Sequence, residues 1–208
     1  MSGNLVAVPR TKEFDPEVAL ERAMELFWRQ GYTATSVADL VAHLGVARAS
    51  LYSTFGTKHD LYVAALERYI QRGEPNLIEV LATPGPVLPT LRAVVRSSAL
   101  PSPPESPPGC MVVNAAVECP PEDIVVRRRL DLNWASVEVA LTSALLRARA
   151  QGEIRVDADA VSVARFLLVL MQGIQVVGGS RDGAEGVDGA RRVDAAVRHA
   201  LDVLETLR

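Results

Sequence analysis

Residues 33–58 read TATSVADLVAHLGVARASLYSTFGTK. Their spacing predicts two short helices joined by a tight turn. Val37, Leu40, Val41 and Leu44 fall at i, i+3, i+4 and i+7, the apolar face of a helix from Ser36 to Leu44. Ser36, with Asp39 three residues on, makes a capping-box-like start. Gly45 ends the helix, as a residue in the left-handed conformation does. A second helix is predicted from Ala47 to Phe55, with Ala47, Leu51 and Phe55 four apart on its inward face. At about 100° per residue, Ala49, Tyr52 and Ser53 then point outward, flanked by Arg48 and Ser50.

A helix that only filled a bundle would carry long charged residues on that face. This one carries small residues, hydroxyls, one Tyr and one Arg. Small side chains let a helix approach the floor of a groove. Arg pairs with guanine edges or phosphate, Ser meets either, and an alanine methyl meets a thymine methyl. Helix, short turn, helix is the arrangement that lays a second helix in the major groove.

The segment TSVADLVAHLGVARASLYSTFGTKHDLYVAAL resembles the DNA-binding domain of the tetracycline-repressor (TetR) family. The features that match are Gly31-Tyr32 before it, Gly45-Val46 at the turn, Leu51-Tyr52 and Phe55 in the second helix, and Lys58 with Leu61 after it. The resemblance spans roughly residues 12 to 70. It implies an all-α protein: an N-terminal three-helix helix-turn-helix domain over 12–57, a linking helix over 58–72, and a helical ligand-binding and dimerisation domain over 73–208. The expected contacts with double-stranded operator DNA are Ser36, the amide of Val37, Arg48, Ala49, Ser50, Tyr52, Ser53 and Lys58. Lys58 sits in a helix first turn, where the dipole disfavours a cation unless a phosphate lies nearby. Its assignment leans on the resemblance.

Hydrophobic residues make up 49% of the 208 and charged ones 23%, a balance that suits a globular chain rather than a disordered one. The net charge of −3 argues at first against nucleic acid, but its distribution matters more. Residues 29–58 hold Arg29, Arg48 and Lys58 against Asp39 alone. No uninterrupted apolar run approaches the ~18 residues of a membrane span, and MSGNLVAVPR lacks the apolar core of a secretory signal. Two cysteines make no disulfide framework. The expectation is therefore a cytoplasmic, nucleoid-associated protein with no membrane partner. His43, His59 and His199 are the histidines, and none belongs to a metal spacing. With no GxSxG and no phosphate loop either, neither an enzyme nor a cofactor is expected.

Further helices are predicted over Asp15–Gln30, Lys58–Arg72, Asn76–Ala82, Val87–Ala99, Cys110–Cys119, Glu122–Gln151, Asp157–Val177 and Ala190–Leu207. Residues 1–11, with Arg10, read as a mobile arm, the proline-rich 101–109 as a surface loop, and the glycine-rich stretch to Gly189 as a linker. Val161–Val177 is apolar nearly all round and needs cover on every side. A second copy can supply part of it, so the last two helices are expected to form a four-helix interface in a homodimer. The family resemblance implies the same.

The resemblance also implies a pocket for a small-molecule inducer, of unknown identity, among the C-terminal helices. Polar residues within apolar stretches are the candidates: Asn114, Glu118, Trp134, Arg165, Gln172 and Gln175. Cys110 joins them. It stands at a helix start, where the dipole favours thiolate, and GCMVVN is similar to a family branch with cysteine there, some of whose members sense electrophiles or oxidants. Cys119, nine residues on, lies about 13 Å further along the axis on the opposite face, so the two cannot bridge within an intact helix. The rival reading is thus a thiol sensor on the same scaffold, with Cys110 as the sensing residue. Against it, cysteines often only pack.

Overall fold

A computed structural model describes residues 14–73, 76–101, 106–107, 109–178 and 184–208. The arm with Arg10 and Lys12, most of the proline-rich loop and residues 179–183 of the expected linker lie outside these.

The described residues form ten helices: α1 (Pro16–Gln30), α2 (Val37–Leu44), α3 (Arg48–Phe55), α4 (Lys58–Arg72), α5 (Leu77–Ala82), α6 (Val87–Ser98), α7 (Met111–Glu118), α8 (Ile124–Ala150), α9 (Ala160–Gly178) and α10 (Ala184–Thr206). No strand occurs among them. The fold is all-α, with a helix-turn-helix at the N-terminal end and a helical bundle after it. Local chemistry sets most boundaries. Asp15 caps α1 through the Glu17 N–H, and Pro16 takes the first turn, where its missing N–H costs nothing. Ser36 and Thr57 each close a reciprocal capping box, with Asp39 and Asp60. Gly45 ends α2 at φ 67° and ψ 29°, the left-handed conformation that glycine adopts without a Cβ penalty.

Three expectations needed correction. Ala47, expected inward, is exposed, because it is the N-cap of α3 with extended backbone and so lies off the helical wheel. The stretch before Gly189, read as linker, is helical from Ala184. Each helical glycine costs about 1 kcal/mol against alanine, but Gly189 is buried and α10 packs along α9 and α6, so tertiary burial outweighs propensity there. Third, α9 spans 19 residues at mean hydropathy 1.8, long and apolar enough by length and composition to cross a membrane. Counting uninterrupted apolar residues missed it, since Arg165 and Gln172 break the run but not the average.

Two apolar cores hold the molecule. The first joins Ala23, Met24, Phe27, Leu40, Leu51, Leu61 and Leu66 of α1 to α4. Met111, Val112 and Ala115 of α7 and Val126 and Leu130 of α8 belong to the same core. The second is built from α5, α6, the later turns of α8, α9 and α10, around Leu88, Leu91, Leu141, Leu145, Leu167 and Leu204. Trp134 of α8 packs against both. The helix after the proline-rich loop therefore returns to the N-terminal core, while still touching α9.

Candidate nucleic-acid interface

The interface is held from behind by α1 and α4. Phe27 meets the edge of Tyr62 at 5.1 Å between ring centroids, and Arg68 of α4 pairs with Glu17 at 3.2 Å and with Glu21. Thr35, fully buried, donates its hydroxyl to the Gly31 carbonyl at 2.6 Å. That bond satisfies the polar atom and shapes the loop leading into α2. Sequence reasoning passed over Thr35, because a threonine in a loop carries no periodic signal.

On this support, α3 presents Arg48, Ala49, Tyr52 and Ser53, all exposed, with Ser50 half-buried beside them. The Arg48 guanidinium lies 5.5 Å from the Tyr52 ring centre, a cation–π contact that pre-orients both side chains. Ser53 donates to the Ser50 carbonyl at 3.0 Å, which leaves its oxygen lone pairs outward. At one edge, Ser36 accepts from the Asp39 N–H at 3.1 Å, and the Ser36 N–H donates to Asp39 at 2.8 Å. The Val37 amide heads α2 there. The start of α4 stands next to it: Val37 and Lys58 line the same small pocket, and the Lys58 ammonium lies 4.3 Å over the Tyr32 ring. Two neighbouring helix N-termini thus adjoin α3, each a partial positive charge suited to phosphate. The capping hydrogen bond from Ser36 holds the Asp39 carboxyl below its usual range, and that from Thr57 does the same for Asp60.

Comparison with known proteins fits this geometry. Residues 19–65 match the family model for bacterial regulatory proteins of the tetR family, and residues 87–193 match that for the tetracyclin repressor-like C-terminal domain. The chain belongs to the TetR family. It is 39% identical over 161 residues to an uncharacterized HTH-type transcriptional regulator, YezE, of Bacillus subtilis (strain 168), covering 76% of this chain and 82% of that one. It is 33% identical over 179 residues to the HTH-type transcriptional repressor ComR of Escherichia coli (strain K12), covering 84% and 83%. Among solved structures, a cysteine mutant of the TetR-family regulator CifR, complexed with 26 bp of double-strand operator DNA, superposes with a TM-score of 0.79. It is 28% identical, with 93% of this chain and 98% of that chain covered. As a TetR-family member the chain is a DNA-binding transcriptional regulator rather than an enzyme.

The ligand candidates of this TetR-family chain do not converge. Asn114 is exposed on α7. Arg165 is exposed on α9 and paired with Glu138 at 2.8 Å. Gln175 donates to the Ser98 carbonyl at 3.0 Å. Glu118 reaches the DNA-reading end, where it accepts from the backbone of Tyr32 and Thr33. Among the described residues, Trp134 Nε1 and Gln172 Oε1 are buried with no hydrogen-bond partner. A cavity of about 70 Å³ lies between α7 and α8, lined by Ala116, Cys119, Arg127, Leu130, Asp131 and Trp134. Of the candidates, Trp134 alone lines it.

Both thiols are free and half-buried, one at each end of α7. The Cys110 thiol stands beside the Tyr69 hydroxyl of α4, whose pKa is raised by burial and then by this thiol. Burial, followed by the charge of Asp123, pushes the Cys119 thiol up. His59, which has no metal spacing in the sequence, lies half-buried with Nε2 2.7 Å from Asp123. No local pattern predicts that pairing, since 64 residues separate the two.

Proposed function

We propose that the protein is a homodimeric repressor that holds a palindromic operator and releases it when a small-molecule inducer binds the C-terminal helices. Residues 12–57 read DNA, 58–72 link, and 73–208 sense and dimerise, in the cytoplasm. The observation that carries this reading is the exposed face of α3 beside the neighbouring capped starts of α2 and α4. In the contact set, Arg48, Ala49, Tyr52 and Ser53 meet the groove, Ser50 flanks them, and Ser36, the Val37 amide and Lys58 meet phosphates. ComR is called a repressor and CifR was solved on operator DNA, which supports extending both properties to this chain.

Dimerisation is supported by α9. Phe166, Val169, Val176 and Val177 are exposed along it, and a Cβ built on Gly173 would meet nothing of its own chain within 4 Å. A mid-helix glycine on an apolar outer face suits the close approach of a partner helix. Two copies then bring their α3 helices to half-sites about one DNA turn apart. Trp134 and Gln172, each with a buried polar atom lacking a partner, are the inducer contacts the packing supports best. Duplexes selected by the purified protein from a random pool test the reading: it requires two-fold symmetric half-sites bound by a dimer. Single half-sites bound by a monomer would end it.

The second reading keeps the scaffold and makes Cys110 a thiol switch. Its place beside Tyr69, where α7 packs on α4, favours it, because modifying the sulfur would push α7 from α4. On this reading peroxide or a quinone releases DNA from wild type and leaves Cys110→Ser bound. Equal release from both would return Cys110 to packing.

A further inference from the structure

Glu118 ends α7, yet its carboxylate lies on the loop between α1 and α2. Oε2 accepts from the Tyr32 N–H at 2.8 Å and Oε1 from the Thr33 N–H at 2.6 Å. The carboxylate lies over Gly31, whose backbone conformation itself calls for glycine. Gly31 adopts φ +84°, and a Cβ there would stand 2.9 Å from Glu118 Oε2. Five residues on, Asp123 caps α8 through the Val126 N–H at 3.1 Å and also meets His59 Nε2 at 2.7 Å. The α7–α8 turn therefore grips two places at once. One is the loop that runs into Ser36, the cap of α2. The other is the second residue of α4, next to Lys58.

Neither grip serves helix formation in the reading domain. Ser36 with Asp39 and Thr57 with Asp60 already close those helix starts. Nor does the packing of α7 call for an acid, since Met111, Val112 and Ala115 supply its buried face. A half-buried carboxylate taking two backbone N–H groups in a loop more than 80 residues away has another effect: it removes that loop's freedom.

We infer that Glu118 is a positioning residue for operator binding: by fixing the 31–33 loop it sets where the α2 start and the α3 face stand relative to Lys58, with Asp123 on His59 as the second anchor. This rests on the operator reading above and names the contact that carries the state of the C-terminal helices to it. A shift of α7 moves Glu118 and the loop together, without unfolding either domain.

The test compares wild type with Glu118→Gln and Glu118→Ala. Amide hydrogen exchange at Tyr32 and Thr33 is read in the free protein. Affinity and active fraction are read on the duplex that wild type selects from a random pool. Glu118→Gln keeps shape and length but leaves one N–H facing an amide NH₂. Exchange at the two amides should quicken at least about tenfold, and Kd should rise about tenfold with the active fraction intact. Glu118→Ala should exceed both. Unchanged exchange, or faster exchange with unchanged Kd, overturns the inference. So does weaker binding explained wholly by a lower active fraction, which marks a merely structural role. A wild type that selects no duplex overturns the operator reading along with it, and is seen before any variant is made.

Discussion

Arg48 is the long cation on the outward face of α3, and its contact with Tyr52 holds it ready rather than free. Arg48→Ala should weaken operator binding by about 1–3 kcal/mol and relax preference at one base pair if the guanidinium reads a base. Anisotropy on single-substitution duplexes checks this, and an equal loss on every duplex would assign Arg48 to phosphate. Asp39 and Asp60 give a prediction in pH. Each carboxyl sits below its unfolded value because a capping hydroxyl and N–H favour the charged form. Their stabilisation is thus present above the unfolded pKa of ~3.9 and is lost as pH falls through the lower folded values. Urea midpoints from pH 6 down to pH 3 should fall most steeply below ~4 in wild type. Asp39→Asn should lie lower at pH 6 and converge with wild type in acid. Parallel curves would mean that the capping box carries no titrating stability.

Among the helices, α9 has the least usual surface. An apolar side chain exposed to water gains nothing, whereas covering it gains about 25 cal/mol per Å². Val169 is 70% exposed and Val176 53%, with Gly173 between them. Val169→Glu places an uncompensated charge on that face and should convert the dimer to monomer by light scattering, with helicity unchanged. Gly173→Leu should do the same by bulk. Dimers from both variants would move the interface elsewhere, with the exposed Leu132 and Val139 of α8 as the next surface to alter. Dissociation should also cost operator affinity, since a single reading head binds half a site.

For the whole molecule, one helix belongs to two cores. The first turns of α8 pack with α4 and α7, in the core of α1 to α4, and its later turns with α5, α6 and α9, and Trp134 packs against both cores. A rigid element shared in this way can couple a ligand among the distal helices to the reading head. The coupling must be reciprocal. Once an inducer is found, operator DNA should weaken its binding by the same factor by which it weakens operator binding. Calorimetry with and without duplex checks this, and unequal factors would rule out a simple two-state linkage.

The reading head is legible from local sequence signals alone. Periodic apolar residues, two capping boxes and Gly45 are local signals, and hydrogen bonds within a few residues of one another place α1 to α4 where those signals predict. The outward set on α3 follows from the same periodicity. Ala47 shows the limit even here, because a cap residue leaves the helical wheel. Long-range packing alone sets that α7 packs beneath the reading head, that Glu118 meets the 31–33 loop, and that Asp123 meets His59. These contacts join residues 64 or more apart, and no short-range pattern encodes which distant N–H a carboxylate will find. The start of α10 at Ala184 has the same origin: its glycines argue locally against a helix, and burial against α9 and α6 outweighs them.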